Sequence, residues 1–364
     1  MGKNSDKEIR ELEKQNRMPR VKLLEDKVSA TVLDERYLLK QTPGIRRAIY
    51  KHIPAHIAQI IEVFFIQHKF DIILSQSEKV AFPLSYLMKI LRLKIPHVVI
   101  ISRITSVDEK QSQRKKWFLK HIKEYVSKFL IWSKVQRQIA IDELGVEPEK
   151  IVLLKRGTDQ KFWYPEENKT ETDMICSVGM EARDYPTLIE AMRGVDIPCH
   201  IAVGSTRGEL FDTVKRLYDI KDIPSNISVG RKSHEELRSL YRRSRFVVVT
   251  LMESDSDNGL TTILEAMAMG KPVICSKTEG QVGIIEDGVT GIFVPQGDKD
   301  ALRKAITKLW DDPEKCRKMG AKGRKFIEEN HSMEQFVDAI HNEMHMLLDP
   351  ASKNTAASLK LEKV

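Results

Sequence analysis

The chain has 364 residues, with 60 Lys and Arg against 52 Asp and Glu (net +8) and 41% hydrophobic residues; this balance excludes a disordered chain and suggests two domains. No apolar run is long enough to span a membrane, MGKNSDKEIRELEKQNR lacks the apolar core of a secretory leader, and Asp6 breaks the myristoylation pattern that Met-Gly opens. Cys176, Cys199, Cys275 and Cys316 form no Cys-x-x-Cys pair, which argues against a zinc site or a disulfide framework and fits a reducing cytoplasm.

Charge is unevenly spread. Residues 1–165 carry 32 basic against 19 acidic side chains, a net of +13, and the remainder a net of −5. Two domains with different partners are expected, the basic one meeting an anionic surface or substrate.

In chain order, 1–18 reads as a charged extension, and RVKLLE as a first strand. GIRRAIYKHIPAHIAQIIEVFFIQH is an amphipathic helical stretch with Pro54 as a break or a helix start. DIILS, PHVVIIS, KFLIWS and KIVLL are strands. AFPLSYLMKILRL, the basic QSQRKKWFLKHIKEYV and VQRQIAIDEL are helices between them. KRGTDQKFWYPEENKTETD is a polar linker. MICSVG, CHIAVG, NISVG, RFVVVT, KPVIC and GIFVP then read as strands, with helices at YPTLIEAM, GELFDTVKRLY, SHEELRSLYRRS, LTTILEAMAM and KDALRKAITKLW. EQFVDAIHNEMHMLL is a closing helix, and 349–364 a disordered tail. Strand–helix alternation predicts α/β domains with parallel sheets, 19–165 with the linker and 166–348, whose sites lie at the carboxyl ends of strands.

NGLTTILEAMAMGKPVIC, Asn258–Cys275, carries most chemistry. Asp257 and Asn258 are N-cap types, and Gly259 permits a sharp turn before an apolar helix that Gly270 and Pro272 end. Glu265 is a carboxylate in that helix, on the face of Thr261 and Thr262. It is either a buried carboxylate satisfied by a neighbouring amide or Arg, or a ligand for sugar hydroxyls while the helix start holds a phosphate. Together, phosphate and ribose mean a nucleotide.

Four ordered stretches resemble the family 4 glycosyltransferases: KRGTDQKFWYP (with Gly157, Asp159, Phe162 and Pro165 matching), SVGMEARDYPTLIEAM, SVGRKSHEELRSLYRRSRFVVVT, and DNGLTTILEAMAMGKPVICSKTEGQVGIIEDGVTGIFVPQGD. The resemblance implies a GT-B fold, two facing Rossmann-like doubly wound domains with a cleft between them. It also implies a retaining, metal-independent transfer from a nucleotide-diphosphate sugar, used as co-substrate without a further cofactor. By resemblance, Glu265 holds the ribose diol. Gly179, Asn258 and the amides of Gly259, Leu260 and Thr261 face the donor. Arg183 neutralises the diphosphate, and the Arg231–Lys232 loop contacts the base.

The chain departs from the family pattern in places. Asp257 stands eight before Glu265 where the family has Glu, and by resemblance it and Arg183 are the catalytic candidates, with Glu253 as an upstream alternative. Met180 replaces a common Arg, leaving Arg207 as a second phosphate cation. LLEDKVSAT lacks the family's Gly-Gly loop, and VVIISRITS offers Ser102 and Arg103 on the acceptor side instead of a His.

Rival readings stay open: a nucleotide-sugar epimerase of the same fold, or a non-catalytic protein binding a nucleotide sugar or a partner. Asp255–Asp257 reads as a polar loop and helix cap rather than a metal triplet. His97, His121, His200 and His234 lack ligand spacing. No nucleic-acid reading motif is present. The basic helix with Arg114, Lys115, Lys116, Trp117 and Lys120 is either an amphipathic helix on the sheet or a contact to anionic lipid. A cytoplasmic protein, peripheral at the inner face of the membrane and using an anionic or lipid-linked acceptor, is the expected setting.

Overall fold

The computed structural model describes residues 5–101, 104, 109–166, 173–203, 217–253, 257–279 and 283–349. Ser102, Arg103, Arg207, Asp255, most of the GELFDTVKRLY helix and the tail from residue 350 lie outside the described residues. The chain divides into two compact units. One comprises Leu23–Leu154 with the chain from Val337 on; the other comprises the chain up to Lys22 with Lys155–Phe336.

In the first unit, α2 (Leu23–Lys27), α3 (Glu35–Lys40), α4 (Gly44–Tyr50) and α5 (Ala55–Ile66) precede β1 (Ile73–Ser75). Then come α6 (Glu78–Leu91), β2 (His97–Ile101), α7 (Glu109–Ile122), β3 (Lys128–Ile131), α8 (Lys134–Asp142) and β4 (Ile151–Leu153). Pro54 caps the start of α5, so the long apolar stretch splits into two helices there. The strands pair in parallel in the order β1-β2-β3-β4. β2 is buried along its whole length, as a parallel strand covered on both faces must be. His97 is a core residue. Its ring nitrogens meet Ser85 Oγ at 3.0 Å and Ser75 Oγ at 2.8 Å, and burial lowers its pKa to about 3, so it stays neutral.

RVKLLE is not a strand. Val21 N–H donates to Pro19 O in a turn and α2 begins at Leu23. Tertiary tethers override the strand propensity. Lys22 N–H donates to Glu13 and its ammonium sits 3.1 Å from Asp6, both near α1 (Asp6–Lys14), which a Ser5–Glu8 capping box starts.

The second unit has β5 (Met174–Val178), α9 (Tyr185–Met192), β6 (Cys199–Ala202), β7 (Ile227–Gly230), α10 (His234–Arg243), β8 (Ser244–Val249), α11 (Leu260–Ala268), β9 (Val273–Ser276) and β10 (Gly291–Val294). After them come α12 (Lys299–Trp310), α13 (Pro313–Asn330) and α14 (Met333–Leu348), whose last part belongs to the first unit. The sheet is parallel throughout, in the order β10-β9-β8-β5-β6-β7. This is the doubly wound arrangement, and its order reverses between β5 and β8.

Close approach explains two glycines. A Cβ on Gly320 of α13 would run into the Gly270 carbonyl, and one on Gly157 would meet Phe336 Cβ at 2.5 Å. The linker is pinned by charge. Asp159 is buried and takes Arg20 Nη2 at 2.6 Å, while Arg20 Nη1 reaches Glu334 at 2.8 Å.

Candidate functional site

The switch point fixes where a ligand sits in a doubly wound sheet: outside the carboxyl ends of the two strands at which the order reverses. Here those strands are β5, ending at Val178, and β8, ending at Val249. Three of the residues singled out in the sequence gather at these ends.

Arg183 is not a surface arginine ahead of a helix. It is only 4% exposed, and its guanidinium lies against Gly179, whose φ is +131° and where any Cβ would collide with it. Nε donates to Val178 O at 3.0 Å, Nη1 to Glu181 O at 2.9 Å and Nη2 to Thr262 Oγ1 at 3.1 Å. Thr262 Oγ1 in turn donates to Val178 O at 3.2 Å. The cation is thus fixed between the end of β5 and the first turn of α11. One hydrogen on each terminal nitrogen remains after these bonds.

Among the described residues, α11 starts without a side-chain cap. Its N-cap is Gly259, left-handed at φ +83°, not Asp257 or Asn258. Asp257 contributes its carbonyl, which accepts from Leu260 N–H at 3.2 Å. Glycine is required because a Cβ would sit 2.9 Å from Val249 Cγ1, and positive φ strains any other residue. Ile263 N–H is bonded back to Gly259 O, so the amides of Thr261 and Thr262 fall in the turn that lacks intrahelical partners. With the dipole, they make that end favourable for an anion.

Glu265 stands one turn further on and half-buried. Its Oε2 accepts from the buried Tyr241 hydroxyl at 3.0 Å, and the described residues give Oε1 no hydrogen bond. Burial raises the Glu265 carboxyl to about 7; the Tyr241 bond and the charges of Arg156 and Arg183 oppose that rise. The carboxylate is therefore satisfied on one side by a phenol, a donor that neither sequence reading named. Tyr241 is 24 residues away, on α10, where it packs edge-on against Trp163 at 5.6 Å. No short-range pattern in the sequence points to it.

Arg231 and Lys232 lie half-buried in the loop between β7 and α10, whose start carries a Ser233–Glu236 capping box. Beside them His200 Nδ1 meets Ser228 Oγ at 2.8 Å, and its Nε2 is buried without a partner among the described residues. Burial, then Lys232, lowers the His200 pKa. Glu253 is exposed and accepts from Glu279 N–H at 3.3 Å.

On α7, Lys115 pairs with Glu78 at 2.8 Å and Lys116 with Glu143 at 2.6 Å, whereas Arg114, Trp117 and Lys120 are exposed. Trp117 also packs against His121, with centroids 4.2 Å apart. Among the described residues, no helix is long and apolar enough to cross a membrane.

The fold is GT-B, two parallel-sheet α/β domains, as two solved structures show. HepE of Anabaena, solved with UDP and glucose, superposes with a TM-score of 0.67 at 18% identity over 84% of this chain and 90% of its own. Sucrose-phosphate synthase of Thermosynechococcus elongatus does so at 0.65 and 19% identity, over 80% and 78%. Within that fold, residues 159–326 match the family of glycosyl transferases group 1.

Curated relatives agree. An uncharacterized glycosyltransferase of Methanocaldococcus jannaschii is 24% identical over 65% of this chain and 64% of its own. The O-antigen chain mannosyltransferase C of Escherichia coli is 27% identical over 45% and 44%. The chain thus spans less than two thirds of either relative.

Proposed function

We propose that the protein is a family 4 glycosyltransferase, moving a hexosyl group from a nucleotide-diphosphate sugar to an acceptor hydroxyl with retention and without a metal. One arrangement carries this reading: the buried Arg183 guanidinium and the uncapped start of α11 meet at the switch point, with Glu265 on the same helix. The printed description of HepE with UDP and glucose, and the relatives named as glycosyltransferases, support the same donor class.

The chemistry follows from charge. As the bond from the anomeric carbon to the diphosphate oxygen breaks, negative charge grows on the leaving group. Arg183 and the Thr261 and Thr262 amides are already fixed to receive it, so little reorganisation is needed. The acceptor oxygen bonds to the anomeric carbon, and its proton passes to a leaving phosphate oxygen. Glu265 accepts from the ribose diol, with Tyr241 holding the carboxylate in place. Arg231 and Lys232 line the base side, and Asn258 and Asp257 the approach to α11; Arg207, Ser102 and Arg103 extend this to a second phosphate cation and to the acceptor side. The acceptor is anionic or lipid-linked, and the protein works as a cytoplasmic enzyme at the inner membrane face.

A thermal-shift screen over nucleotides and nucleotide sugars tests the reading, because a ligand that binds only the native state raises its stability by about 2.7 kcal/mol at a hundredfold excess over Kd. Stabilisation by nucleoside diphosphates and their sugars is expected. A response to none of them removes the proposal.

A further inference from the structure

α4 and α5 turn apolar side chains to solvent. Ile45 is 81% exposed and Ile49, one turn on, 52%; on α5, Ile57, Phe64 and Phe65 are each exposed by about two fifths. Both helices already pack an inner face, through Tyr50 on α4 and Ala58, Ile60 and Ile66 on α5. The exposed residues form a second apolar stripe on each helix. At 3.6 residues per turn, Ile45 and Ile49 fall on the side of α4 away from Tyr50, and Ile57 and Phe64, seven apart, share one line on α5. The helices are neighbours. The Arg46 guanidinium lies 4.6 Å from the Phe65 ring centre, and the Phe64 and Phe65 rings meet edge-on at 5.4 Å.

The charge around this face is basic on balance. Residues 34–71 contain six Lys and Arg against four acids, of which Glu62 alone lies on α4 or α5. Glu62 is buried, bonded by Arg46 Nε at 2.9 Å and by the Tyr50 hydroxyl at 2.9 Å. The stretch 44–66, α4 to α5, therefore brings no carboxylate to the surface, while Lys40, Lys51 and Lys69 are exposed. Exposed isoleucine and phenylalanine beside lysines suit an anionic bilayer, where apolar groups enter the acyl boundary and ammonium groups meet headgroup phosphates. A protein interface core is instead depleted in Lys, and a second copy would set like charges against each other.

We propose that α4 and α5 form the face by which this protein docks on an anionic lipid bilayer, with Ile45, Ile49, Phe64 and Phe65 entering the headgroup layer. The inference rests on the peripheral-membrane part of the function proposed above, not on its chemistry, and places the contact on residues other than those of α7.

The test is co-sedimentation of the full chain with vesicles of phosphatidylcholine alone and of phosphatidylcholine with phosphatidylglycerol, at low and high salt. Wild type, the Ile45→Glu/Ile49→Glu pair, Phe64→Ser and Arg114→Gln/Lys120→Gln are compared. Wild type should bind the anionic vesicles about tenfold or more above the neutral ones, and less at high salt. The Ile45/Ile49 pair and Phe64→Ser should each lose roughly tenfold of that binding, and the α7 variant less than about twofold. Unchanged melting temperatures show that the exposed substitutions leave the fold intact. Equal binding to both vesicles, no binding to anionic ones, or loss only in the α7 variant overturns the proposal. So does self-association abolished by Ile45→Glu/Ile49→Glu without vesicle binding. Vesicle binding without any response to nucleotides would leave the docking face standing and remove the transferase reading alone.

Discussion

Replacing Tyr241 by Phe removes a single hydroxyl, the one that donates to Glu265 Oε2 at 3.0 Å. The ring keeps its place against Trp163, so the fold should hold. The Glu265 carboxyl, already raised to about 7 by burial, loses the largest of the effects that hold it down. A hydrogen bond to a charged group contributes about 1.5–3 kcal/mol, equivalent to about 1–2 pH units at 1.36 kcal/mol each. The carboxyl should then titrate higher still, by about that amount. At pH 7 the ionised fraction falls from about half to roughly 1–10%. If the ribose diol donates both its hydroxyls to the carboxylate, donor affinity should drop about 5- to 50-fold at pH 7 and recover most of that by pH 9–10. Calorimetric titration of a nucleoside diphosphate sugar across that range measures it. In wild type the affinity should rise as pH climbs through about 7. Affinity independent of pH in wild type, or an equal loss in the variant at every pH, refutes the assignment of Glu265 to the ribose.

Arg183→Ala should lower turnover by about 10²-fold or more, since a preorganised charge on the leaving group is lost, and Arg183→Lys should restore part of it without the fork; unchanged steady-state rates in the Ala variant would move the phosphate cation elsewhere. Gly259→Ala should cost about 1–2 kcal/mol of stability from the left-handed φ and further from the contact with Val249, read as a lower melting temperature; an unchanged value would mean that α11 can start another way. Arg20→Ala should destabilise by about 2–3 kcal/mol, less than full orphaning of a buried charge because Asp159 keeps the residue 20 N–H, and chemical denaturation checks this. The Glu265 pH effect on stability also has a definite sign. Its folded carboxyl, near 7, lies above its ordinary 4.5, so the folded state holds a proton the unfolded state has lost. Its contribution to stability should fall by up to about 3 kcal/mol as pH rises from 4.5 to 7, measured by denaturation in the free protein.

The alternation of strands and helices was legible because short apolar runs such as HVVII, MICSV and VICS are bounded by Gly, Pro or polar residues, and each is a buried parallel strand. The helix carrying Glu265 was legible to within a residue, since Gly270, at φ +66°, ends it. RVKLLE misled because strand propensity is a statement about packing, and no sheet edge is offered there; Arg20 and Lys22 are tied to Asp159 and Asp6 instead. α13 has no counterpart among the helices read from the sequence, and its two glycines are not breakers. They are contact residues, Gly320 against the Gly270 carbonyl and Gly323 against Met267. At the site, Glu265 could be read from its place in the helix and Arg183 from the family resemblance, but their immediate partners could not. Thr262 lies 79 residues from Arg183 and Tyr241 lies on another helix, and only the fold brings them together.

On the proposed function, the switch point of the second unit holds a nucleotide-diphosphate sugar between Arg183, the start of α11 and Glu265. Titration of UDP-glucose and other nucleotide sugars into wild type and Glu265→Ala, with melting temperatures recorded alongside, tests it most directly. Saturable one-to-one binding of at least one of them to wild type is expected, with an affinity lower by roughly 1–3 kcal/mol in a folded Glu265→Ala. Binding of none, or undiminished binding by a Glu265→Ala protein that has instead lost its stability, would contradict it.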